Sequence, residues 1–137
     1  LSSNLASPNS VDAVVTFRNL HNWIGPQMDT IFKNSYKALK PGGIFGIVEH
    51  RANPGTSLDV MKKSGYVTES YAIAIAEKHG FVLVDKSEIN ANPKDLKNYE
   101  KGVWTLPPSL RLKDKDKEKY LEIGESDRMT LLFRKPS

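Results

Sequence analysis

The chain has 137 residues, 39% apolar and 26% charged, which is the balance of one globular domain, and no apolar run approaches the roughly 20 residues of a membrane helix. Cysteine is absent, so disulfides, thiolate nucleophiles and cysteine-based metal centres are excluded. The net charge of +4 would suit a nucleic-acid partner, yet the densest basic stretch, Arg111 to Lys119, alternates in sign as a solvated helix face does, so no nucleic-acid interface is expected.

Leu1 to Ser10 is rich in Ser, Asn and Pro and reads as loop. It has neither a basic start nor a long apolar stretch, so no signal peptide is visible. The first residue is Leu rather than Met, and the chain is expected to begin inside a longer gene product or to have been processed. The compartment stays open. Val11 to Phe17 is apolar and β-branched, as a buried strand is. Gly25-Pro26 opens a helix. Met28, Ile31, Phe32, Ser35, Tyr36 and Leu39 form its inner face, leaving Lys33, Lys37 and Lys40 wet. Pro41-Gly42-Gly43 is expected to stop the helix and turn the chain into a second strand, Ile44 to Glu49. Two continuous apolar strands joined by an amphipathic helix describe a βαβ unit in a parallel sheet covered on both faces.

His50 to Gly65 reads as a polar loop. Thr68 caps a helix reaching about His79, with Gly80 as its stop. His79, in the last turn, complements the helix dipole. Phe81 to Asn90 and Met129 to Phe133 are the third and fourth strands. The insert between them, Ala91 to Asp127, holds Trp104, Pro107-Pro108 and a short helix around Asp116 to Ile123.

The segment Val11 to Trp23, including Phe17-Arg18-Asn19, resembles the fourth strand and following loop of class I methyltransferases. Leu39-Lys40-Pro41-Gly42-Gly43 before an apolar strand resembles the approach to that family's fifth strand. Glu88 to Asp95, Gly102 to Pro108 and Gly124 to Met129 are similar to a bacterial group of methyltransferases. The resemblance implies an α/β fold: the C-terminal half of a Rossmann-like methyltransferase sheet, with parallel strands and helices and a closing antiparallel strand pair. Residues 1–137 would be a single partial domain, with 91–127 an insert between its last two strands. It also implies S-adenosylmethionine as cofactor, a small-molecule acceptor, and contact of Phe17, Arg18 and Asn19 with the cofactor. The family's glycine-rich loop and ribose-binding acid have no counterpart here, and no Gly-x-Gly-x-x-Gly occurs. The chain alone is therefore expected to bind the cofactor weakly or not at all.

In open α/β sheets, ligands sit beyond the carboxyl ends of the strands. That rule selects Arg18, Asn19, His21 and Asn22 after the first strand, and Glu49, His50 and Arg51 after the second. Glu88 and Asn90 lie near the end of the third. His21 and His50 are the candidate bases, because imidazole titrates near neutral pH. Asn22, Arg51 and Trp104 are candidate acceptor contacts, with Trp104 and Pro107-Pro108 as lid or as plug for the insert. Glu49 is expected to form a structural ion pair with Arg18 or Arg51. Three histidines without regular spacing argue against a metal site. The other reading is a non-catalytic α/β binding or assembly module. An unpaired edge at Val11 to Phe17 would favour a homodimer, strand exchange or aggregation, read by light scattering.

Overall fold

A computed structural model describes residues 4–137. The expected N-terminal loop is described from Asn4 onward, and Leu1 to Ser3 lie outside the described residues. The elements in chain order are β1 (Val11–Phe17), α1 (Pro26–Ala38), β2 (Leu39–His50), α2 (Leu58–Ser64), α3 (Glu69–Lys78), β3 (Val82–Ser87), α4 (Lys117–Ile123) and β4 (Arg128–Arg134). Two 3-10 turns, Leu20–Trp23 and Gly102–Thr105, matter for the site.

The strands form one sheet in the order β1-β2-β4-β3. β1 and β2 are parallel neighbours, with Val14 opposite Phe45 and Phe17 opposite Val48. β4 runs antiparallel to both β2 and β3, as the closing strand pair requires. Period-two alternation aims Phe45, Ile47, Met129, Leu131 and Phe133 at one face, where all five are buried. α1 and α3 cover that face. Phe32 of α1 lies 5.3 Å from Phe45, ring centre to ring centre, and Phe81 ahead of β3 lies 5.2 Å from Phe45. Ala72 and Ala76 bring α3 close to the same cluster. Each such aromatic or aliphatic side chain contributes roughly 1.5–3 kcal/mol on burial.

Cover on both faces, expected from the apolar strands, is corrected. The opposite face carries Val15, Phe17, Gly46, Val48 and Leu132, and Val15 and Phe17 are 58% and 57% exposed. The outer edge of β1 also has no strand beside it among the described residues.

Two local expectations change as well. Pro41-Gly42-Gly43 does not separate helix from strand; it is an irregularity inside β2, which starts at Leu39 opposite Val11. Gly42 takes φ +84, and a Cβ on Gly43 would stand 2.9 Å from the Lys40 carbonyl oxygen. Only glycine tolerates both demands. The loop expected between His50 and Gly65 contains α2, capped by the Ser57 side chain accepting from the Val60 amide. Its one buried residue, Met61, is too little for an apolar period to show. The Thr68 cap is present: its hydroxyl accepts from the Tyr71 amide at 3.2 Å.

Candidate functional site

A cleft of about 390 Å³ opens where β1 and β2 end. After Phe17 the chain turns sharply, with Arg18 at φ +58 and its amide donating to the Val48 carbonyl at 2.6 Å. The 3-10 turn that follows is anchored by fully buried Leu20 and delivers His21 and Asn22. β2 delivers His50. Because β4 is antiparallel to β2, its first residue Arg128 stands opposite His50, and Ser126 lies just before it. The insert closes the far side with Trp104, Pro107 and Pro108.

Seven of the eight residues selected as candidate site groups therefore line one cleft: Phe17, Arg18, Asn19, His21, Asn22, His50 and Trp104. Arg51 does not. Its guanidinium grips Asp127 through Nε (2.9 Å) and Nη2 (3.0 Å) and also pairs with Glu69 and Glu88. Burial would raise the Asp127 carboxyl, but hydrogen bonds from Arg51 and Lys97 win and hold it at about 2. Arg51 thus pins the segment between the cleft residues Ser126 and Arg128. Asn90 donates to the Thr130 hydroxyl at 2.8 Å. His79 pairs with Asp29 at 2.9 Å, outside the cleft.

Under the cleft sits Glu49, 0% exposed. Its Oε2 accepts from the His21 amide at 2.8 Å and lies 3.0 Å from His21 Nδ1; its Oε1 accepts from the His50 amide at 2.8 Å. The expected ion pair with Arg18 or Arg51 is corrected: the partner is His21. A carboxylate can only accept, so Nδ1 carries the proton and Nε2 is left as the ring's acceptor. His21 stacks edge-on to Trp104 at 5.8 Å and sits 5.6 Å from the His50 ring.

His50 bonds to the Ser126 hydroxyl through Nδ1. Burial foremost, with the neighbouring His21 ring and the Arg128 and Arg18 guanidinium groups adding to it, pushes it down to about 3. It is neutral at physiological pH. The unfolded chain takes up this proton near 6.5, whereas the folded chain refuses it until about 3. His50 therefore contributes stability that is full above pH 6.5 and is lost as pH falls toward 3, by at most about 1.4 kcal/mol per pH unit. Urea midpoints across that window should fall steeply in the native chain and less in His50→Gln; equal slopes would remove His50 as the cause.

His21 and His50 are not scattered, as their spacing suggested: with Glu49 they place potential ligand atoms within 4.8 Å of one another. A divalent ion could be held there, though Glu49 already accepts from two backbone amides. The sequence reading missed Ser126, Arg128 and the partner of Glu49.

No protein-family model and no curated protein matches the chain. Solved structures do. A [4+2]-cyclase, SpnF, superposes with TM-score 0.65 at 16% identity, over 98% of this chain and 54% of that one. A methyltransferase dependent on S-adenosylmethionine from Methanosarcina mazei gives TM-score 0.60 at 16%, over 98% and 64%. The 1,6-didemethyltoxoflavin-N1-methyltransferase of Burkholderia thailandensis, solved with its substrate and S-adenosylhomocysteine, gives 0.56 at 12%, over 99% and 48%. The chain thus has the fold of class I methyltransferases dependent on S-adenosylmethionine, and spans about half to two-thirds of these proteins' lengths. At such identities the likeness defines the fold and not the reaction.

Proposed function

We propose that this chain is the acceptor-side part of a methyltransferase dependent on S-adenosylmethionine, acting on a small molecule. Residues 1–137 would form a partial domain with 91–127 as its insert. The observation that carries the reading is His21, oriented by buried Glu49, beside a cleft at the carboxyl ends of β1 and β2 in this fold. The open apolar face around Val15 and Val48 and the free edge of β1 support a further layer and strand beside it, or a second copy.

Phe17, Arg18 and Asn19 stand exposed at the end of β1 and fit as one wall for a nucleoside-sized ligand. A bound cofactor would supply the electrophilic methyl group. The chain's own residues hold the acceptor against Trp104 and Asn22, and His21 Nε2 takes the proton the acceptor gives up. His50 stays neutral and serves as a hydrogen-bonding group, too weak a base for that task.

Calorimetry with S-adenosylhomocysteine tests this. Little or no heat is expected with the 137-residue chain. Micromolar binding is expected with a longer gene product that carries a glycine-rich strand-to-helix turn ahead of Leu1. No binding to that longer form would refute the proposal and favour a non-catalytic binding module, the second reading, which the lack of any Gly-x-Gly-x-x-Gly in the chain supports.

A further inference from the structure

We propose that the cleft binds a small planar acceptor bearing a carboxylate, with the anionic group seated by Arg18 and Arg128 and the apolar body against Trp104 and Pro108. The inference rests on the cleft being the acceptor site.

The charge of the lining points one way. Two guanidinium groups and two imidazoles face the cleft, and no aspartate or glutamate is among its lining residues. Glu49 lies beneath, its oxygens already occupied by His21 and His50. Arg18 forms no ion pair with any described residue, although it sits where the chain turns into the cleft. Arg128 is half satisfied: Nη2 binds Glu125 at 2.7 Å, while its Nε is buried without a hydrogen-bond partner. A buried donor left unpaired costs about 1–3 kcal/mol, so the Arg128 side chain is not fully satisfied by its own neighbours.

The same charge bears on the metal alternative. His21, Glu49 and His50 have suitable ligand atoms, but a cation there would face Arg18 and Arg128 with one carboxylate to offset it. An anion gains from both arginines. The rest of the lining includes an apolar group, Trp104 with Pro107 and Pro108; Arg111 stands over the Trp104 ring at 5.7 Å and adds a third positive charge nearby. A planar ring against Trp104 with a carboxylate toward the arginines satisfies both halves of the cleft.

The probes are benzoate and its neutral amide, benzamide, titrated into the full chain and followed by the NMR signals of the Trp104 indole and the His21 ring. Benzoate should bind at least about tenfold more tightly than benzamide, since one charge-assisted hydrogen-bond pair is worth that much. Arg18→Gln, at an exposed position, should abolish most of the preference. Equal binding of the two probes, or a preference that survives both Arg18→Gln and Arg128→Gln, would overturn the assignment. Zinc that shifts His21 and His50 while benzoate shifts nothing would give the site to a metal instead. The cofactor titration is independent of these arms. Benzoate preference without cofactor binding would keep the anion site and remove methyl transfer; cofactor binding without benzoate preference would do the reverse.

Discussion

Glu49→Ala should lower the stability of the chain by about 3–5 kcal/mol, because it strips the acceptor from three donors that water cannot reach. The amides of His21 and His50 and the His21 Nδ1 proton all end on this carboxylate, and Glu49 is 0% exposed. The cavity left by the side chain adds to the cost. Glu49→Gln separates the two jobs of the residue. It keeps the volume and one acceptor oxygen, so the loss of stability should be smaller, but it sets an amide N–H against one of the donors. In that variant the His21 ring should no longer be held in one tautomer, which nitrogen chemical shifts of the imidazole report. Turnover in an active longer form should fall by on the order of a hundredfold or more, as for other bases that lose their orienting carboxylate. A loss below about 1 kcal/mol in Glu49→Ala would mean that the buried carboxylate does not hold the cleft together.

Gly102→Ala should be nearly as damaging, for a steric reason. Gly102 has φ +59, and a Cβ there would lie 2.4 Å from the Ser64 carbonyl oxygen and 2.5 Å from its Cα. Those atoms are backbone at the end of α2, so no side chain can swing aside. Strain in φ and the forced separation together should cost about 2–5 kcal/mol. The turn Gly102–Thr105 carries Trp104 into the cleft wall, so the Trp104 indole signal should shift in the same variant. Gly55→Ala is the comparison. Gly55 also has positive φ, at +84, but nothing stands within 4 Å of its would-be Cβ, so about 1 kcal/mol of backbone strain is all that should appear. Equal losses in the two variants would show that α2 yields at Ser64.

The parts of the fold legible in the sequence are those where a local pattern and the tertiary demand agree. Val11 to Phe17 is strand in both. The face of α1 is right at Met28, Ile31, Phe32 and Ser35, while Leu39 proves to be the first residue of β2. Ser57 could have signalled α2, but one buried Met in seven residues gives no period. Apolar β1 and β2 suggested cover on both faces; α1 and α3 cover only the side of Phe45 and Ile47. A run of apolar residues states that a strand suits burial, not which layer supplies it.

Much the same division holds for the cleft. The rule that ligands meet the carboxyl ends of strands gathered His21, His50 and the Phe17–Asn19 turn, because those positions depend only on strand direction. Arg51 was drawn in by proximity in sequence, yet adjacent residues at a strand end point to opposite sides, and Arg51 turns to Asp127. Ser126 and Arg128 were invisible because they reach the cleft through β4, whose antiparallel pairing sets Arg128 opposite His50. That pairing could have been deduced from the implied closing strand pair. The Glu49–His21 contact could not, since it depends on how the 3-10 turn after β1 folds back over β2.

The most direct measurement of the central claim is the S-adenosylhomocysteine titration of a form of the protein that carries a glycine-rich strand-to-helix turn ahead of Leu1, read residue by residue through its amide NMR signals. Perturbations should concentrate at Phe17 to Asn22 and at the end of β2, with His21 among the largest. Binding with no change at those positions, or no binding at all, would contradict a methyl-transfer site at this cleft.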